Sequence, residues 1–171
     1  MENKTKSPGT KPVALFVIPG GGFTFETKCL LGQLKDDLEF IYLTTRFGGE
    51  PGTEGIPPGI GHEVPMFSSL TQPSWRQSLK AFMVTFFTTL SVIREDGVGI
   101  LVAVGGSHAV PMLLAGRMMR RKTVFIESIT RVDKLSNTGR LVYSLHIASC
   151  FIVQWPNLKN SFPSSRLGSI L

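Results

Sequence analysis

The apolar run Val13-Ala14-Leu15-Phe16-Val17-Ile18, closed by Pro19 and by Gly20, Gly21 and Gly22, most narrows what this chain can fold into. A strand that is apolar on every residue has to be covered on both faces, as in a parallel sheet layered between helices. The proline and glycines stop it sharply. The next segment, Thr24 to Leu38, changes period: Phe25, Cys29, Leu30, Leu34 and Leu38 follow helical spacing. Phe40 to Thr44 is apolar again. Strand, glycine turn, helix and strand make the opening of a doubly wound α/β fold.

The same alternation continues. Trp75 to Glu95 predicts a long helix, with Leu79, Phe82, Met83, Phe86, Phe87, Leu90 and Ile93 at helical spacing. Ile100 to Val104 predicts a strand that ends in Gly105-Gly106-Ser107 and leads into a helix through Met119. Thr123 to Ile126 predicts a strand, Gly139 to Leu145 a short helix, Cys150 to Val153 a fifth strand, and Leu167 to Leu171 a last edge. Gly48 to Gly61, rich in Gly and Pro, reads as a long loop without regular structure. The expected architecture is therefore a Rossmann-like parallel sheet with helices on both faces. Residues 1–11 read as a flexible tail and 12–171 as one domain. A length of 171 residues suits that.

Ligands in such folds sit at the carboxyl ends of strands, beside helix N-termini. Two glycine turns fall there. Gly20-Gly21-Gly22 follows the first strand and can bring backbone N–H groups close to an anion. It is neither G-x-G-x-x-G nor a P-loop, and the second strand ends in Thr44-Thr45-Arg46 without the acid that grips a ribose, so nicotinamide binding is disfavoured. Gly105-Gly106-Ser107-His108-Ala109 nearly matches the nucleophile elbow of hydrolases. A hydrolase built on Ser107 would draw on Asp133 and His146 downstream. His146, however, falls with the predicted short helix rather than on a loop after a late strand. The simpler reading makes Ser107 the cap of the next helix, with the turn facing the same cleft as the first. Glu127, directly after the fourth strand, is expected at the rim of that cleft. It could act as a base, bind a sugar hydroxyl, or pair with Arg131 four residues on.

The net charge of +6 favours anionic partners. Arg117, Arg120, Arg121 and Lys122 lie close to Met112, Leu113, Leu114, Met118 and Met119. Such a cluster suits an anionic membrane surface or a solvated helix end. No charge-free apolar run reaches the roughly 20 residues that span a bilayer, so attachment to a membrane is expected to be peripheral or borrowed from a partner. The basic residues are not interleaved with aromatics in a nucleic-acid-binding pattern, and nucleic acid is not an expected partner. Cys29 and Cys150 have neither metal nor disulfide spacing, and no metal or cofactor is expected.

Three strings are distinctive: Lys122-Thr123-Val124-Phe125-Ile126-Glu127-Ser128, then Arg131-Val132 with Leu135-Ser136 and Thr138 to Tyr143, then Phe151-Ile152-Val153-Gln154-Trp155-Pro156. They resemble the acceptor-side subunit of the bipartite UDP-N-acetylglucosamine transferase that builds dolichol-linked oligosaccharides. The bacterial counterparts in capsule and exopolysaccharide synthesis, the PssD family, look more similar still. The turn Gly21-Gly22 with Glu26 agrees with this. The resemblance implies the N-terminal half of a GT-B glycosyltransferase, binding a polyprenyl-diphosphate-linked acceptor at the cytoplasmic face of the membrane. It also implies a separate donor-binding subunit for the UDP-sugar. With such a function, Gly20, Gly21, Gly22, Thr24, Glu26, Gly105, Gly106, Ser107 and Arg131 are expected at the acceptor, Glu127 or His108 as base, and Arg117, Arg120, Arg121 and Lys122 toward lipid. Phe23 stands where the family usually has histidine, which leaves room for a member that acts as a scaffold for its partner.

Overall fold

The computed structural model describes residues 11–20, 22–47, 50, 51, 55–68 and 73–170. The tail expected over residues 1–11 lies outside them except for Lys11. In chain order the elements are β1 (Val13–Ile18), α1 (Gly22–Leu34), β2 (Glu39–Thr44), β3 (Arg46–Phe47), β4 (Glu50–Pro51), β5 (Gly59–Glu63) and α2 (Trp75–Glu95). They continue with β6 (Ile100–Val104), α3 (Ala109–Met118), β7 (Lys122–Ile126), α4 (Asn137–Ser144), β8 (Cys150–Val153), α5 (Pro156–Ser161) and β9 (Arg166–Leu167). Seven strands form one sheet in the order β5-β2-β1-β6-β7-β8-β9, and every pairing in it is parallel. The winding reverses between β1 and β6, which makes that junction the topological switch point.

The sheet is buried on both faces, as the apolar runs require. On one face Leu15, Val17, Leu43, Leu101, Ala103 and Phe125 pack with Val92 and Ile93 of α2, Met112 and Leu113 of α3 and Val142 of α4. On the other, Phe16, Ile18, Tyr42, Val102 and Val104 pack with Leu31 of α1. Alternate residues of one strand thus feed two cores.

Several elements depart from the sequence expectation. Helix α1 stops at Leu34 rather than Leu38, and Asp37 N donates to Leu34 O in a turn. Asp36 and Asp37 there would put negative charge on a helix C-terminus, where the dipole opposes it. The expected loop 48–61 contributes a strand: β5 pairs in parallel with β2 from Phe40↔Gly59 to Thr44↔Glu63. Its sequence, Gly-Ile-Gly-His-Glu, has little intrinsic strand preference, and the open edge of β2 recruits it. The expected helix opening at Ser107 starts at Ala109 instead. Gly105 and Gly106 both take positive φ (57° and 74°), His108 occupies the cap position, and no side chain caps the helix. Helix α5 was not expected; Pro156 at its start presets the first turn. Two other helices are capped by side chains: Ser74 Oγ accepts from Gln77 N, and Ser136 Oγ from Gly139 N.

Helix α3 lies close to the sheet because Gly116 has no side chain. A Cβ there would stand 2.8 Å and 2.9 Å from the Leu101 methyls and 2.9 Å from Thr123 Cγ2. Gly116→Ala is therefore expected to lower stability by about 1–2 kcal/mol, as overpacking outweighs the gain of about 1 kcal/mol in helix preference. Urea unfolding reads this directly, and an unchanged midpoint would mean that α3 can lift off the sheet at no cost.

Candidate functional site

The carboxyl ends of β1, β6, β7 and β8 bring together Pro19-Gly20, Gly105-Gly106-Ser107, Glu127-Ser128 and Gln154-Trp155. The two glycine turns touch. A Cβ on Gly106 would come within 2.9 Å of Pro19 Cγ, and one on Gly105 would overlap the ring of Phe23. Phe23 therefore roofs the second turn from the first helix. Gly20 has φ of 82°, so three of these glycines hold a backbone that other residues rarely adopt. Gly21 lies outside the described residues.

The segments that follow β7 and β8 hold two buried carboxylates. Glu26, on α1, is 4% exposed. Its Oε1 accepts from Ser128 Oγ at 2.5 Å, and its Oε2 accepts from Ile129 N at 2.9 Å and Gln154 Nε2 at 3.1 Å. Glu127 is fully buried. Its Oε1 accepts from Ser128 N at 3.1 Å, and its Oε2 from Ser136 N and Ser136 Oγ, each at 3.0 Å. Gln154 joins the two halves, donating to the Glu127 carbonyl at 3.0 Å while its Oε1 accepts from Ile170 N at 3.1 Å. The Glu127 carboxylate sits under the N-terminus of α4, where the helix dipole favours negative charge. A Cβ on Gly139 would overlap it, so the close approach depends on that glycine.

The burial of Glu127 corrects one expectation. Glu127 is fully buried rather than at the cleft rim: its N–H donates to Ile152 O of β8 at 2.9 Å, and its carboxylate is held by Ser128 and Ser136. Its carboxyl is pushed above the usual range, by burial first; the hydrogen bonds from Ser136 and Ser128 and the charge of Arg131 oppose the shift. Arg131 itself is exposed. Glu26 is buried as well, with its oxygens taken by Ser128, Ile129 and Gln154.

His108 is also buried, at 4% exposure. Its Nε2 lies 2.9 Å from Pro65 O and so carries the proton, and Phe67 stands edge-on to the ring with centroids 4.7 Å apart. Burial pulls its pKa below the ordinary histidine value, against the opposing hydrogen bond to Pro65. The ring pins segment 65–67 to the start of α3. Ser107 is exposed at the turn. A triad does not form around it: His146 lies on the turn after α4, at the amino edge of the sheet, where its Nδ1 meets Ser144 O at 3.2 Å, and Asp133 OΔ1 accepts from Asn157 Nδ2 at 3.4 Å. Thr24 Oγ1 is buried without a partner, as is the hydroxyl of Thr45, just past β2.

Sequence reasoning passed over Ser128, Ser136, Gly139 and Gln154, although all lie in the distinctive strings. The signal was Ser136 three residues before Gly139, a helix cap, with a glycine where the helix meets a carboxylate. It also missed a cleft of about 280 Å³ between α2, α3 and α4, lined by Phe67, Phe82, Ser107, Val110, Thr138 and Leu141. A larger concavity among the described residues, about 1160 Å³, is elsewhere. It lies at the amino edge among Lys11, Lys35, Asp36, Glu39 and the 55–60 segment, away from both glycine turns. Its charges are of both signs, and the strand ends there offer no converging helix N-termini, so the chemistry favours the smaller cleft. The basic cluster Arg117, Arg120, Arg121 and Lys122 is also at the amino edge, where α3 ends and β7 begins.

The family described as "Oligosaccharide biosynthesis protein Alg14 like" matches residues 67–171, well over half of the chain and the whole stretch from the cleft to the C-terminal strands. The chain belongs to this family. It is similar to the UDP-N-acetylglucosamine transferase subunit ALG14 of Homo sapiens, 31% identical over 110 residues that cover 61% of this chain and 50% of that protein. The protein of the same name from Rattus norvegicus is 30% identical over the same shares. That from Yarrowia lipolytica is 25% identical over 57% of this chain and 47% of its own length. The chain thus spans about half the length of these relatives. Its fold matches that of Acinetobacter baumannii MurG with a TM-score of 0.67 at 18% identity, over 92% of this chain and 44% of MurG. It also matches a putative UDP-N-acetylglucosamine 2-epimerase from Listeria monocytogenes with a TM-score of 0.65 at 13% identity, over 90% and 41% of the two chains. The fold is the Rossmann-like α/β layer of GT-B glycosyltransferases.

Two outcomes test the carboxylate arrangement. Gly139→Ala should cost about 3 kcal/mol in urea unfolding, since the new methyl displaces a buried carboxylate from its donors. Glu127 holds its proton more tightly folded than unfolded. Its contribution to stability is thus fully present below the unfolded pKa and is lost as pH rises through the folded one. The stability of the wild type relative to Glu127→Gln should therefore fall as pH rises above the ordinary carboxylate range. A relative stability that rises instead would mean the hydrogen bonds outweigh burial.

Proposed function

We propose that this chain is the acceptor-side subunit of a two-chain glycosyltransferase, which moves a sugar from a UDP-sugar to a polyprenyl-diphosphate-linked acceptor. Residues 12–171 act as one unit equivalent to the N-terminal half of a GT-B enzyme, and a separate donor-binding subunit supplies the other wall. The observation that carries this is the pairing of two facts: relatives named as transferase subunits, and a fold that covers 44% of MurG. A bacterial, PssD-like setting in capsule or exopolysaccharide synthesis, at the inner face of the plasma membrane, is the biological reading that the sequence strings favour.

In this reading the backbone N–H groups of Gly20–Gly22 and Gly105–Ser107 hold the acceptor's diphosphate or sugar, with Thr24 and Arg131 at the margins. Glu26, Glu127 and His108 position the turns. Their burial favours that role over direct proton transfer, and it opens a second reading: a chain that contributes no reacting group and acts as a scaffold that activates its partner. The placement of Phe23 against Gly105 agrees with either, since a phenyl ring can shape the turn but cannot move a proton.

The assay combines this chain and the donor-binding subunit with UDP-N-acetylglucosamine and a polyprenyl-diphosphate-linked sugar. Transfer is expected only when both chains are present. Gly106→Ala, which pushes Pro19 away from the second turn, should lower kcat/KM for the acceptor by about a hundredfold, the cost of roughly 1 Å of misplacement. Co-purification of the two chains should be unchanged. A Gly106→Ala complex with full activity would assign the chain to the scaffold role, and transfer by either chain alone would remove the two-chain reading.

A further inference from the structure

Helix α2 carries apolar side chains that stand exposed among the described residues. Trp75, Leu79, Met83 and Phe87 are 71%, 51%, 42% and 57% exposed. Their four-residue spacing sets them in one inclined row along the helix. Phe86 extends the row inward, edge-on to Phe87 with centroids 5.5 Å apart, and stacks on Phe82. The opposite side of α2, with Ala81, Thr85, Thr89, Val92 and Ile93, is buried against the molecule.

The charges on the helix choose the occupant. Between Trp75 and Arg94 the helix has Arg76, Lys80 and Arg94 and no acidic residue. Arg76 and Lys80 directly follow Trp75 and Leu79, and both are exposed. The Arg76 guanidinium lies 5.6 Å from the centroid of the Trp75 ring. Protein interfaces deplete lysine at their cores, whereas an apolar row interleaved with cations complements an anionic bilayer surface. Trp at one end suits the headgroup boundary. No helix among the described residues is long and apolar enough to cross a membrane, so contact through this row would be interfacial.

Position supports the same occupant. The Ser74 cap sets the start of α2 at the carboxyl edge of the sheet, and Phe82 lines the cleft that reaches Ser107. A bilayer against α2 would therefore lie beside the glycine turns. One against Arg117 to Lys122 would lie at the far edge. We infer that the exposed row Trp75, Leu79, Met83 and Phe87 of α2, with Arg76 and Lys80, is the surface by which this chain docks on an anionic membrane. The inference rests on the proposed lipid-linked acceptor for its purpose, but its test does not involve transfer.

The test is flotation of the full chain with vesicles of phosphatidylcholine, with or without phosphatidylglycerol. Binding is expected to the mixed vesicles and to weaken with salt. Leu79→Ser with Phe87→Ser should abolish it. Arg76→Gln with Lys80→Gln should weaken it by tenfold or more. Arg117→Gln with Arg120→Gln should leave it unchanged. In a Trp155→Phe background, where Trp75 is the remaining tryptophan, emission should shift to the blue on binding. Circular dichroism confirms that each variant folds. Loss of binding in the Arg117/Arg120 variant alone, or binding without a Trp75 shift, would overturn the inference. Absence of binding to either vesicle would overturn it as well. If the Leu79/Phe87 variant then also failed to capture the donor-binding subunit, the row would be a protein interface. Failed transfer with intact vesicle binding would count against the proposed function and not against this surface.

Discussion

The carboxyl edge of this sheet depends on two buried carboxylates that share one serine. Ser128 gives its backbone N–H to Glu127 and its hydroxyl to Glu26. Burying one carboxylate costs several kcal/mol unless donors replace its water. Here each receives three hydrogen bonds, and the donors come from β7's following loop, the start of α4 and the end of β8. The arrangement is therefore all or none. If Ser128 moves, both acids lose a partner, and α1, α4 and β8 lose their common anchor.

Such an arrangement suits a site made of backbone rather than of reactive side chains. N–H groups in glycine turns bind an anion well only if they are held in place beforehand. Glycines are the residues least able to hold themselves. Rigidity must come from the neighbouring structure, and the carboxylates of Glu26 and Glu127 tie together the chain segments that follow β7 and β8 at the same edge. Phe23 and Pro19 complete the contact by packing on Gly105 and Gly106. The acids that sequence reading singles out for chemistry are thus accounted for by the mechanical needs of their neighbours.

The layered fold was legible because its strongest signals are local. The runs Val13–Ile18 and Ile100–Val104 are apolar on both faces, and the spacing of α2 matches its observed bounds from Trp75 to Glu95. What escaped was set by tertiary context. β5 has two glycines and a histidine in five residues, and it becomes a strand only because β2 offers an unpaired edge. The position of Glu127 escaped for a related reason. The Glu127 N–H closes the last rung of the β7–β8 pairing, at Ile126↔Ile152, and the side chain then meets Ser136 at the start of α4, an encounter that the apolar run alone does not encode. The roles of Gln154 and Ser136 depend on partners about 10 to more than 100 residues away, which no spacing rule reaches.

The distribution of apolar surface follows from the same winding. In a doubly wound sheet each helix runs back from the carboxyl edge to the amino edge, so its N-terminus is at the site and its C-terminus is remote. Cations gather at helix C-termini for reasons of the dipole alone, which accounts for Arg117 and its neighbours without any ligand. Cations in the first turns of a helix have no such reason, and Arg76 and Lys80 are placed against the dipole of α2. Charge that works against local electrostatics calls for a partner outside the fold, and an apolar row beside it narrows the partner to a surface both greasy and anionic. The same end of α2 meets the cleft at Phe82, so the proposed membrane surface and the proposed acceptor site would fall on one edge.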